Sequence, residues 1–141
     1  MQAEIATGRV DPNRATINAL LVDDSPVMLS TLARILKDVG TPIVIRTVTD
    51  GWLALRAALE LTPELVLMDL HLPGLNGAET TKYLKLLPNP PIIFMITSDD
   101  TSNAQLMSKA AGADAFIVKA SDLERKIRSH VREWFGDRSQ S

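Results

Sequence analysis

A chain of 141 residues, 45% hydrophobic and 23% charged, has room for one buried core and too little for two, and its composition excludes the disordered and fibrous classes. A formal net charge of -2 argues against a surface built to hold phosphate backbone, so direct nucleic-acid binding is not expected; the absence of cysteine excludes disulfides, zinc-thiolate sites and thiol chemistry. No apolar stretch approaches the roughly 20 residues of a membrane span, and the N-terminus lacks the apolar segment of a signal peptide, so no membrane insertion and a cytoplasmic location are expected.

Residues 1–16 have no hydrophobic period and contain Gly8, Pro12 and Asn13, which reads as a flexible N-terminal tail. From residue 17 onward, short apolar runs alternate with segments of helical period, the mark of a parallel α/β sheet. Five runs read as strands: "INALLV" (17–22), "IVIRTV" (43–48), "ELVLMD" (64–69), "PIIFMIT" (91–97) and "AFIVK" (115–119). Most are nearly continuously apolar, as strands covered on both faces should be, whereas Arg46 and Thr47 give the 43–48 run the character of an edge strand.

The helices between them show apolar residues every three or four positions. Leu29, Leu32, Leu36 and Val39 form the first stripe, opened by Pro26 and stopped by Gly40 and Pro42. Trp52, Leu55 and Leu59 form the second, Leu84 and Leu87 the third, and Ala104, Met107 and Ala111 the fourth. Leu123, Ile127, Val131 and Trp134 form the fifth, and "GDRSQS" at 136–141 reads as a C-terminal tail. All these side chains are expected in the core.

In an open parallel sheet, chemistry gathers beyond the carboxyl ends of the strands. The first strand ends at Asp23 and Asp24, the third at Asp69, the fourth at Thr97 and the fifth at Lys119. Three carboxylates brought together repel, each raising the cost of ionising the next, and a divalent cation resolves this. An oxygen-only donor set that leaves places for water and a phosphate suits Mg²⁺ better than a Ca²⁺ cage. A carboxylate can itself be the nucleophile of phosphoryl transfer, which needs mainly positioning and charge neutralisation. Lys119 and the Thr97 hydroxyl supply such groups. Asp23 and Asp24 also suit the cap of the first helix, and Asp99 and Asp100, in "DDTSN", are expected to face solvent and cap the fourth.

Four segments, "LLVDDSPVM", "LVLMDLHLPGLNG", "PIIFMITS" and "GADAFIVK", occur in order and at matching spacings, and with them the chain resembles the receiver domain of a two-component response regulator over residues 17–135. The resemblance implies a flavodoxin-like (CheY-like) five-stranded parallel sheet of order 2-1-3-4-5 flanked by five helices. It makes Asp69 the phosphoacceptor, Asp24 and Asp69 the Mg²⁺ ligands with Asp23 supporting through water, and the His71 backbone carbonyl a further ligand. Thr97 and Phe116 become the switch residues and Lys119 the partner of the phosphoryl group. The donor would be a sensor histidine kinase or a histidine phosphotransfer protein. The output would be a downstream protein target on the face of the fourth helix, fifth strand and fifth helix, with a homodimer on phosphorylation as a further outcome.

The implied protein is a switch rather than an enzyme with an external substrate, although it would catalyse its own phosphorylation and dephosphorylation. With 22 residues after Lys119 (141 − 119), it is expected to act through another protein or to be cut from a larger regulator. Two alternatives stand beside it: a haloacid-dehalogenase-like Mg²⁺-dependent phosphatase, and a degenerate receiver acting as a constitutive binding module. One departure from the pattern is Ala120, where many receivers carry a proline after the lysine; the linkage there is expected to be an ordinary trans one.

Overall fold

Residues 16–136 are described by a computed structural model. The expected tails, apart from Thr16 and Gly136, lie outside the described residues. Five strands, Ile17–Val22 (β1), Ile43–Val48 (β2), Leu65–Asp69 (β3), Ile92–Thr97 (β4) and Ala115–Val118 (β5), alternate with five helices. These are Pro26–Lys37 (α1), Gly51–Leu61 (α2), Gly77–Leu84 (α3), Ser102–Ala111 (α4) and Leu123–Phe135 (α5). All strand pairs are parallel and the order is β2-β1-β3-β4-β5, as expected. β3, fully buried along its length, lies between β1 and β4.

Alternate strand residues feed two separate cores, because successive side chains point to opposite sheet faces. Ile17, Ala19, Leu21, Leu65, Leu67, Phe94 and Ile96 meet α1 and α5 on one face. Leu20, Val22, Val66, Met68, Ile93 and Met95 meet α2, α3 and α4 on the other.

The helices differ from the expected stripes in instructive ways. In α2, Trp52 and Leu59 are 64% and 70% exposed, and the buried face is Gly51, Ala54, Ala57 and Ala58. The reason is close approach. A Cβ on Gly51 would run into the Thr80 hydroxyl and lie 2.5 Å from the Leu75 carbonyl oxygen, so only small residues fit where α2 meets the loop before α3. In α4 the buried set is Ala104, Ser108 and Ala111, leaving Met107 partly exposed. In α5, Leu123, Ile127 and Val131 are buried as expected, but Trp134 is 43% exposed. Val39 falls beyond the end of α1, where it still packs against the core partly buried, and Leu87 does the same after α3.

Helix starts follow local chemistry. Ser25, not Asp23 or Asp24, is the N-cap of α1, with Pro26 in its first turn, where a missing N–H costs nothing. Asn76 and Glu79 form a reciprocal capping box on α3. Thr101 caps α4 through the Ala104 N–H.

Candidate functional site

Each strand of a parallel sheet delivers its last residue to the same edge, and the order places β1, β3 and β4 side by side there. Asp23 and Asp24 follow the last residue of β1, Asp69 closes β3, Thr97 closes β4, and Lys119 follows β5. The result is a carboxylate cluster: ligand oxygens of Asp23, Asp24 and Asp69 all lie within 4.8 Å of one another. Asp23 and Asp69 are buried and Asp24 is exposed.

The Lys119 ammonium donates to Asp23 Oδ2 at 2.8 Å and stands 3.7 Å from Asp69 Oδ2. Asp23 Oδ1 accepts the Ser25 N–H at 2.9 Å, which fixes that carboxylate in place. Cis peptide bonds are absent among the described residues, so Lys119 reaches the site through an ordinary linkage to Ala120.

Burial pushes the Asp69 carboxyl above the usual carboxylate range; the Lys119 charge pulls it down, Asp23 pushes it up, the His71 N–H pulls it down and Asp24 pushes it up. Burial and like charge therefore outweigh the single lysine. A divalent cation fits this donor set: hard oxygens only, one side chain open to solvent, and a buried carboxylate whose ionised form lacks full compensation.

The β3–α3 loop is shaped by backbone space. Gly74 adopts φ 71°, the left-handed region that favours glycine. Gly77 donates its N–H to the Leu70 carbonyl at 2.8 Å, and a Cβ there would collide with the Asp69 carbonyl oxygen and lie 2.8 Å from Leu70 Cα. The loop folds tightly back on β3 only because Gly77 has no side chain. His71 donates its N–H to Asp69 Oδ1 at 3.3 Å, and its carbonyl accepts no hydrogen bond from any described residue.

Thr97 is fully buried, and its hydroxyl accepts the Asp99 N–H at 3.1 Å. Phe116 is half-buried on β5. It borders a cleft of about 290 Å³ against α4, lined also by Gln105, Ser108, Lys109 and Asp114. Thus Asp23, Asp24, Asp69 and Lys119 converge, Thr97 stands on the adjoining strand, and Phe116 lies two residues before the end of β5, back from this edge.

Sequence reasoning missed one member of this edge. Asp99 does not cap α4 directly and is only partly exposed: its Oδ2 lies 2.8 Å from His71 Nε2, and its Oδ1 accepts both the Thr101 N–H and hydroxyl. Hydrogen bonds from the Thr101 hydroxyl and the His71 ring, then the Thr101 N–H, hold the Asp99 carboxyl down to about 2. A signal was available, because His71 and Asp99 each stand two residues beyond the end of adjacent parallel strands.

Residues 19–132 match the family model described as the response regulator receiver domain. The DNA-binding response regulator MtrA of Mycolicibacterium smegmatis is 33% identical over 116 residues, 80% of this chain and 50% of MtrA. Response regulator GacA of Pseudomonas aeruginosa is 31% identical over 126 residues, 86% of this chain and 57% of GacA. The chain therefore spans about half the length of these relatives. Among solved structures, a LuxR-family two-component response regulator from Aurantimonas sp. superposes with a TM-score of 0.77 at 28% identity, covering 85% of each chain. Chemotaxis protein CheY4 of Vibrio cholerae gives 0.74 at 26% identity, covering 84% of this chain and 98% of its own. Among the described residues, no helix is long and apolar enough to cross a membrane.

Proposed function

The chain belongs to the response regulator receiver family, whose general function is phosphorylation-dependent signalling, and from that premise we propose that Asp69 is its phosphoacceptor. Family membership implies a histidine kinase or phosphotransfer partner. The observation that carries the reading is the meeting of Asp23, Asp24 and Asp69 oxygens within 4.8 Å beside an ammonium 2.8 Å from one of them and 3.7 Å from another. Such a cluster is costly unless it binds a cation and an anion in turn.

In the transfer, an Asp69 carboxylate oxygen attacks phosphorus as the phosphorus–nitrogen bond of a phosphohistidine breaks. The product is an acyl phosphate, and the imidazole leaves after taking a proton from solvent. Asp24, Asp69 and the His71 carbonyl would hold Mg²⁺, with Asp23 supporting through water. The cation supplies charge neutralisation for the phosphoryl oxygens and for the crowded carboxylates. Lys119 is already poised between Asp23 and Asp69 and swings toward a phosphoryl oxygen when one arrives. The Thr97 hydroxyl donates to another.

The receiver domain is residues 17–135, flanked by the segments 1–16 and 136–141. Thr97 moving toward the phosphoryl group draws on the adjoining β4–β5 surface, and half-buried Phe116, beside an open cleft against α4, has room to turn inward. The output is a change in the α4, β5 and α5 face, read by a downstream protein target or by a second copy of the chain. The phosphoryl group shifts this balance only by its differential contacts in the two states. The test is incubation with Mg²⁺ and acetyl phosphate followed by intact mass measurement: the expected result is a gain of one phosphoryl group that Asp69→Asn abolishes. Labelling that survives Asp69→Asn would move the acceptor elsewhere.

A further inference from the structure

The outward side of α2 exposes two large apolar side chains, Trp52 at 64% and Leu59 at 70%. They stand seven residues apart, almost two full turns, so they share one face of the helix and lie roughly 10 Å apart along its axis. At the Leu59 end the face opens into a cleft of about 150 Å³, lined also by Ala58, Pro63, Leu87, Pro88 and Pro91. Leu86, beside Leu87 in the chain, is 80% exposed. At the other end Trp52 occupies the first turn of α2.

An aromatic knob at one end of a helix face and an apolar cleft at the other become self-complementary about a two-fold axis. When a second α2 runs antiparallel to the first, about an axis midway between Trp52 and Leu59, each Trp52 lies on the Leu59 and the cleft of the other copy. The charges on the flanks agree with this placement. Glu60 lies on the β2 side of α2, 3.6 Å from Arg46 and 4.0 Å from Arg56. On the opposite side runs α3, against which Gly51 packs at Thr80. It carries exposed Lys82, which has no ion-pair partner among the described residues. Because Thr80 stands level with Gly51, Lys82 stands level with the first turn of α2. The same two-fold axis sets the α3 flank of one copy against the β2 flank of the other and brings Glu60 of the second copy to that level.

We propose that the α2 face binds a second copy of this chain as an antiparallel two-fold dimer, with Trp52 seated on Leu59 and its cleft and Lys82 facing Glu60 across the rim. A contact of this extent falls at the small end of specific interfaces, below about 1,200 Å² in total, so the dimer is weak and reversible. It requires no phosphoryl group. β5 lies at the opposite edge of the sheet from β2, and α5 covers the other sheet face, so both stay uncovered. One dimer thus offers a target two copies of the proposed output face at once.

Sedimentation equilibrium on the unphosphorylated full chain, with chelator present, tests the proposal. The average mass is expected to rise from one copy toward two between about 1 µM and 1 mM, with a dissociation constant on the order of 10–100 µM. Trp52→Ala should weaken the dimer about tenfold or more, as truncation of a central aromatic does. Lys82→Glu, which sets like charges across the rim, should weaken it about three- to tenfold. Leu106→Ala, which removes an exposed apolar side chain on α4, should leave the constant unchanged. Well below the dissociation constant these side chains face water, so dilute denaturation of the variants reads the monomer and separates a lost contact from unfolding.

A spectroscopic reading fixes which face is covered. The chain has two tryptophans, so Trp134→Phe leaves Trp52 as the only indole. Its emission is expected to move to shorter wavelength as concentration rises through the dimer transition. A single-copy mass up to about 1 mM, an emission that does not move, an unchanged constant in Trp52→Ala or Lys82→Glu, or a dimer weakened by Leu106→Ala in their place overturns the proposal.

Discussion

Lys119 stands 2.8 Å from Asp23 and 3.7 Å from Asp69, so the lysine's closest carboxylate is on β1's side of the edge, not the proposed acceptor. Asp23 is 1% exposed, and Lys119 is the ammonium that balances it. Removing one partner of a buried pair leaves the other charge stranded. In Lys119→Met, measured by denaturant unfolding with chelator present, stability is expected to fall by roughly 3 kcal/mol. Added Mg²⁺ should narrow the deficit by supplying another positive charge. A loss below about 0.5 kcal/mol would show that Asp23 does not depend on this partner.

Asp69 carries the opposite sign of contribution. Its folded-state pKa lies above the ordinary 3.8 because burial disfavours the charged carboxylate by more than Lys119 and the His71 N–H favour it. A raised value means the protonated carboxyl is favoured by folding. The favourable contribution is fully present below the unfolded value and is lost as pH rises through the folded one. At neutral pH without metal, Asp69→Asn should therefore be more stable than the original chain, by about 0.5–2 kcal/mol. The gap should close as pH falls below 3.8. Thermal unfolding across pH in chelator checks this, and a less stable Asp69→Asn at neutral pH would contradict it.

Gly77 is required by space, not by backbone sign. A Cβ would meet the Asp69 carbonyl oxygen and Leu70 Cα, both backbone atoms that cannot turn aside. Gly77→Ala is expected to cost about 1–3 kcal/mol through overpacking and a displaced loop. It should also slow the proposed Asp69 labelling, because the backbone that moves is Asp69's own. Gly74→Ala makes a useful contrast. Nothing lies within 4 Å of its added Cβ, so the expected penalty is backbone strain alone, of the order of 1 kcal/mol.

Trp52 and Leu59 separate hydrophobic pattern from burial. Both are largely exposed, so Trp52→Ala and Leu59→Ala should change stability by less than about 0.5 kcal/mol, the usual range for surface positions. Ala54→Leu, on the buried face of α2, should cost about 1–3 kcal/mol by overpacking. Chemical denaturation of the three variants tests the orientation of the helix.

The fold was legible because its signals repeat. Five apolar runs at regular spacing, with period-3.6 segments between them, leave a parallel sheet as the arrangement that buries both strand faces. The strand-end residues were legible for the same reason, since parallel strands share one carboxyl edge. The orientation of α2 was not. Apolar residues occupy both of its sides, and the choice falls to the small face because Gly51 must lie against Thr80 and Leu75, contacts made by a segment more than twenty positions away.

The order of residues along the chain thus determined the strands, the helices and the set of polar groups at the sheet's edge. Local periodicity and turn chemistry act within a few residues of each position. Tertiary structure alone decided that Lys119 rests on Asp23 more closely than on Asp69, that Trp52 faces outward, and that His71 meets Asp99. Each depends on segments brought together by strand register and close packing, and none is encoded in local propensity.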